Sequence, residues 1–309
     1  MLIERVLPLN MHRETGQLKP VSPFDFGKSM DALWTFNQML GEPLPMPNKL
    51  VKAITVAGET FGFQVEPGGL TQEPVLNYTI FSPSPLRESL KDVLLYRMSS
   101  FLGLEDDLNP FYEAALQDPS FSVVVMRLFG YHPLKFLTPF EAACWAILTQ
   151  RNLVPLAVKM RHSIIQDYGG GISIEDVSYR AFPEPERLAK VPENDFITCL
   201  GDEKRAGQIL KAAQAFSTIE ESWLLSADFV RVENWLHNLQ GIGFSSATMI
   251  LIQGLGRMEQ ASYTDKKLLS AVAKVYGKSI AREDVPKLAA QYGKWQGYWA
   301  SYLSHFSAK

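Results

Sequence analysis

The chain has 309 residues, a net charge of −3, and is 46% hydrophobic and 20% charged, which favours two folded domains and excludes disordered or collagen-like organisation. No apolar run approaches the ~18 residues of a membrane span, and Met1-Leu2-Ile3-Glu4-Arg5 lacks a signal peptide's apolar stretch, so a cytoplasmic location is expected. The slightly acidic balance argues against polyanion binding by bulk attraction alone, although basic residues outnumber acidic ones between Arg257 and Lys294.

The first hundred residues read as mixed α and β. Leu2 to Leu9, Ala53 to Val65 and Val75 to Phe81 are rich in strand formers and are separated by turns such as Ala57-Gly58-Glu59, which predicts an antiparallel sheet. Ser29-Met30-Asp31-Ala32-Leu33-Trp34 has the spacing of a helix packed on one sheet face. Ser84-Pro85 is a helix start followed by Leu86, Leu90, Val93, Leu94 and Leu102. A domain boundary is therefore placed near residue 100, giving an α+β domain over 1–100 and a helical domain over 101–309.

Beyond that point almost no alternating pattern is found, and a purely helical bundle is expected. Thr138-Pro139-Phe140-Glu141 combines an N-cap threonine, proline at the first helical position and a capping-box glutamate. Phe140, Ala143, Cys144, Ile147 and Leu148 form the buried stripe, leaving Gln150-Arg151-Asn152 as a polar cluster at the far end.

Two further segments carry chemical meaning. Val232, Trp235, Leu236 and Leu239 form one helix stripe, Gln240-Gly241-Ile242-Gly243 a tight connection, and Ala247, Ile250, Leu251 and Gly254 a second stripe, so residues about 230–256 read as helix, hairpin, helix. Glycines two apart allow positive φ and close backbone approach, so hairpin amides can face a phosphate without basic side chains. A plain αα-hairpin satisfies the same pattern. The run Tyr263-Thr264-Asp265-Lys266-Lys267-Leu268-Leu269 opens another helix and puts Asp265 at its N-terminal end, a common place for a capping residue. Histidines 12, 132, 162, 237 and 305 are scattered without metal-ligand spacing, and the two cysteines, Cys144 and Cys199, cannot build a sulfur-ligated cluster.

Pro23-Phe24-Asp25-Phe26, Pro139-Phe140-Glu141-Ala142 through Ile147-Leu148-Thr149-Gln150, and Leu239-Gln240-Gly241-Ile242-Gly243 followed by Asp265 together resemble the helix-hairpin-helix DNA glycosylases, in the 3-methyladenine type II and 8-oxoguanine branch. The likeness runs over most of the chain. It implies a mainly α fold, with a two-lobed helical body, a TATA-binding-protein-like antiparallel α+β domain at the N-terminus, and an active-site cleft between the lobes. It further implies Asp265 as the catalytic carboxylate. Gln240, Gly241, Ile242, Gly243 and Ser245 would bind DNA, and Gln150, Arg151 and Asn152 would form a wedge loop. Phe244 and Met249 would lie at the base pocket. A monovalent cation held by backbone carbonyls of Gln240 and Gly243 is implied by the likeness alone, as is a monomer acting on double-stranded DNA, with no organic cofactor and no obligate protein partner.

This sequence departs from the family pattern at Ser245, where bifunctional members carry a lysine that attacks C1′. A monofunctional enzyme is therefore expected, hydrolysing the glycosidic bond of damaged, alkylated purines in base-excision repair. Lys266 and Lys267 are expected to face phosphate or solvent, and the Trp295, Tyr298, Trp299 and Tyr302 cluster to be core. A second reading, a non-catalytic lesion-sensing module that keeps the hairpin, stays open.

Overall fold

The computed structural model describes residues 11–35, 48–277 and 280–308, with side chains omitted at 34 and 35. The strand expected over Leu2 to Leu9 lies outside them. Four strands form one antiparallel sheet in the order β1-β4-β3-β2: β1 (His12–Leu18), β2 (Leu50–Val56), β3 (Glu59–Pro67) and β4 (Leu76–Ser82). The β2–β3 turn falls at Ala57 and Gly58, both with positive φ (53° and 78°), the pairing a two-residue hairpin needs to follow the twist of its strands. Phe61, Phe63 and Val65 alternate inward from β3 and meet Leu90, Leu94, Met98 and Phe101 of α2 (Glu88–Leu102), together with Phe26 and Met30 of the short α1 (Phe26–Asp31).

The rest is helical with one exception. α3 (Asn109–Leu116), α4 (Pro119–Arg127), α5 (Pro139–Thr149) and α6 (Val154–Tyr168) precede a second hairpin, β5 (Gly170–Ile174) paired with β6 (Val177–Ala181). That hairpin corrects the expectation of helices alone. It lays Ile172 and Ile174 against Ala53 and Phe81 on the outer face of the first sheet, and Gly62 of β3 is what admits it: a Cβ there would stand 2.4 Å from Ile174. After it come α7 (Pro185–Leu188), α8 (Glu193–Leu200), α9 (Glu203–Phe216), α10 (Glu221–Ser226), α11 (Phe229–His237), α12 (Phe244–Met249), α13 (Lys266–Tyr276), α14 (Val285–Ala290) and α15 (Gln296–Ala308).

The helices build two separate cores. One gathers α5, α6, α8, α9, α11 and α12 around Ile147, Phe196, Ile209 and Leu236. The other joins α3 and α4 to α13, α14 and α15 around Phe111, Tyr298, Trp299 and Tyr302, so the late aromatic cluster is core apart from the half-buried Trp295. This is the expected two-lobed body, with the second lobe assembled from chain on both sides of the first.

α5 is the central helix of the first core. Thr138 Oγ1 accepts the Glu141 amide at 3.1 Å, as its cap signature demands. Glu141 does not return the capping-box bond, because its side chain is buried and takes a hydrogen bond from Arg161 of α6 at 2.6 Å. Nor is α5 amphipathic: residues 139–148 are all buried, as expected of a helix enclosed on every face.

Candidate active site

α12 continues as a π-helical turn over Ile250–Gly254, and small residues let it close on α5: a Cβ on Gly254 would stand 2.8 Å from that of Ala142. The hairpin before it, Gln240 to Gly243, needs positive φ only at Gly241 (90°). Gly243 is extended (φ −91°, ψ −178°) and a Cβ there would meet nothing within 4 Å, so its value is an open approach to the backbone rather than a left-handed turn. Both helices that flank the hairpin bury the expected apolar stripes, with Val232, Leu236, Ala247, Ile250 and Leu251 inside.

α13 buries Leu268, Ala271 and Val272, and its N-terminal residues Asp265 and Lys267 line the same cavity as Ser245 and Met249 of α12. Asp265 is the N-cap of α13: Oδ1 accepts the amides of Lys267 at 2.7 Å and Leu268 at 3.0 Å. Both capping bonds use one oxygen. Oδ2 makes no hydrogen bond among the described residues, and Asp265 lines a cavity of about 680 Å³ that opens between the two lobes. The helix dipole favours a negative group at this end.

The cavity receives residues from both cores. Trp145, Thr149, Ser245 and Met249 come from one side, and Tyr131, Met258, Lys267 and His305 from the other. Tyr131 and His305 stack with centroids 4.6 Å apart at 16°. Burial pushes the Tyr131 hydroxyl's pKa up, so this wall stays a neutral phenol.

Of the residues singled out from sequence, Asp265, Ser245, Met249 and Gln150 are brought together at this cavity. Phe244 is not: it is 50% exposed on the outer surface and lies parallel to His237, with centroids 6.3 Å apart. The aromatic wall comes instead from Trp145 and Tyr131. Trp145 had a signal in the sequence, since it falls off the α5 stripe on the side expected to be polar. Tyr131 and His305 had none, being far apart in the chain.

The loop after α5 differs from expectation in detail. The Gln150 side-chain amide turns inward and donates to the Gly241 carbonyl at 2.6 Å and to Ser246 Oγ at 3.1 Å. Asn152 donates to the Leu148 carbonyl at 3.0 Å, closing the end of α5. Only Arg151 of the three is exposed, and beside them stands Leu153, an apolar side chain that is 77% exposed.

At the hairpin carbonyls that the resemblance assigns to a monovalent cation, the Gly243 carbonyl accepts the Ala247 amide at 2.9 Å, and the Lys211 ammonium donates to the Gln240 side chain at 2.5 Å. No step below passes through such an ion. Among the described residues no group of three or more His, Cys, Asp or Glu side chains could hold a metal, and no helix is long and apolar enough to cross a membrane.

This arrangement of two helical lobes and an N-terminal antiparallel sheet has counterparts among solved structures. A 3-methyladenine DNA-glycosylase from Archaeoglobus fulgidus matches with a TM-score of 0.77 at 17% identity, over 94% of this chain and 97% of that one. The fold is that of the helix-hairpin-helix DNA glycosylases. An 8-oxoguanine glycosylase/lyase from Clostridium acetobutylicum, bound to double-stranded DNA with cytosine opposite 8-oxoguanine, shares this glycosylase fold with a TM-score of 0.65 at 17% identity, over 96% and 97% of the two chains. In sequence, a DNA-3-methyladenine glycosylase of Bacillus subtilis is 21% identical over 260 residues, 83% of this chain and 86% of that protein. No protein-family model matches.

Proposed function

We propose that the chain is a DNA glycosylase that removes alkylated purines from duplex DNA by hydrolysis, as a step of base-excision repair. One observation carries this reading: in a chain of this fold, the Asp265 carboxylate keeps one oxygen uncommitted and lines a cavity of about 680 Å³ beside the hairpin, roomy enough for a flipped-out base. A base inside the duplex reaches that cavity only when its nucleotide is flipped out, at a cost of a few kcal/mol that damage lowers. The Gly241 to Gly243 backbone and the first turn of α12 would hold phosphate during that step.

The chemistry then needs little. As the bond from C1′ to the base nitrogen breaks, the sugar gains oxocarbenium character, the carboxylate stabilises it, and water adds to C1′ to leave a free base and an abasic site. A purine alkylated on a ring nitrogen bears a formal positive charge and departs neutral, so no prior protonation is required. Electron-rich rings favour such a cation, and Trp145 and Tyr131 are among the residues that line the cavity. Ser245 on α12 and the absence of any lysine from that helix support a reaction without strand cleavage. Lys267 at the cavity mouth is the one amine among the lining residues.

The test is base release, read by mass spectrometry, from duplexes carrying 3-methyladenine, 7-methylguanine, hypoxanthine, ethenoadenine or 8-oxoguanine. Release of the methylated bases with no borohydride-trapped adduct is the expected result. A trapped adduct would overturn the hydrolytic assignment and point to Lys267; tight duplex binding with no base released would favour the non-catalytic module.

A further inference from the structure

The α5–α6 loop and the hairpin it meets each contain a residue with positive φ. Arg151 has φ +48°, uncommon for a residue with a side chain, and Gly241 has φ +90°. Conformations of this kind persist when neighbouring groups over-determine them. Gln150 spans the gap, its amide on the Gly241 carbonyl at 2.6 Å. Its own carbonyl is held from below, where Arg205 Nη2 donates to it at 2.7 Å while Nη1 pairs with Asp202, the N-cap of α9.

Arg205 is the first of three residues at i, i+3 and i+6 that run along one face of α9 beneath both segments. Gln208, buried, packs under Gly241 so closely that a Cβ there would stand 2.6 Å from its Cδ. Lys211 reaches Gln240. One helix face thus supports the loop and the hairpin together.

We propose that Arg205 is a positioning residue: acting through Gln150, it sets the α5–α6 loop against the hairpin, so that both meet DNA as one rigid surface while the nucleotide is extruded. This rests on the glycosylase reading for its consequence, though not for its geometry. A misplaced loop weakens extrusion of a paired base far more than release of a base that needs no unpairing, and it leaves the hairpin's hold on phosphate in place.

The experiment compares wild type with Arg205→Met, which keeps the apolar stem and removes the donors. Single-turnover base release is measured for one lesion in normal duplex and for the same lesion opposite an abasic site. The rate should fall about tenfold on the paired lesion and less than about twofold on the unpaired one, with KM little changed on either. Equal losses on both substrates, or no loss on the first, would overturn the proposal. Should Arg205→Met melt early, Gln150→Ala breaks the same brace from the other side and should show the same difference. If wild type releases no base, the functional reading fails by itself, and amide hydrogen exchange still tests the brace: Arg205→Met should speed exchange in 150–153 and 240–243 but not in α13, and unchanged exchange there would overturn it.

Discussion

Two aspartates, Asp118 and Asp265, begin helices in the same way and stand in opposite surroundings. Asp118 caps α4 with Oδ1, accepting the amides of Ser120 at 3.1 Å and Phe121 at 3.2 Å, as Asp265 does for α13. The second oxygen separates them. In Asp118 it is buried and accepts from Tyr276 (2.6 Å), Tyr292 (2.8 Å) and Gln291 (3.0 Å), tying α4 to the far end of α13 and to α14. In Asp265 it makes no hydrogen bond among the described residues, and the side chain lines the cavity. A cap fixes where a carboxylate sits, and the company of its remaining oxygen decides whether it holds the fold or is available for chemistry.

Breaking the structural member of the pair should have the largest effect on folding. Asp118→Ala removes the acceptor of the buried Tyr292 and the half-buried Tyr276 and leaves a helix end uncapped, and is expected to lower stability by about 3 kcal/mol, read as a shift in denaturant midpoint. Base release per folded molecule should change much less. A shift below about 1 kcal/mol would mean that the lobe is not organised around this residue.

The hairpin glycines sharpen the same contrast between holding and meeting. Gly241→Ala forces a side chain into positive φ and against Gln208, and should cost about 1–2 kcal/mol together with DNA affinity. Gly243→Ala has open space and extended backbone, so stability should stay within about 0.5 kcal/mol while DNA binding weakens in every sequence context. Equal stability losses at the two sites would contradict the distinction between them.

The smallest effect expected is a pH dependence. His132 is buried between the carbonyls of Gly103 (2.7 Å) and Pro23 (3.1 Å), joining the N-terminal domain to the body. Burial lowers its pKa from 6.5, outweighing these carbonyls and Asp106, which favour the charged ring. A histidine whose folded pKa is depressed contributes stability above the unfolded value of 6.5 and loses it as pH falls through the folded one. Melting temperature should therefore drop on acidification below pH 6.5, and more steeply for wild type than for His132→Gln. Parallel slopes would remove His132 from the account.

Much of this was legible in the sequence, for local reasons. Thr138-Pro139, Gln240 to Gly243 and Asp265 are punctuation, and each structure follows from a few adjacent residues. What sequence missed is non-local or weakly patterned. β1 is a mostly polar edge strand, and β5 and β6 turn only Ile172, Ile174 and Ala181 inward, too few to read as alternation. The Tyr131 and His305 stack joins a loop after α4 to the last helix. Phe244 shows the reverse error, since nearness to the hairpin in sequence did not bring it to the cavity, and Gln150 and Asn152 spend their amides on the protein itself.

The central claim is that the second oxygen of Asp265 acts on the sugar, and Asp265→Asn tests it most directly because asparagine caps a helix as well as aspartate does. Single-turnover base release should fall at least about 100-fold while melting temperature and duplex binding stay as in wild type. Release at the wild-type rate, or a loss that appears only together with unfolding, would show that Asp265 is a helix cap and nothing more.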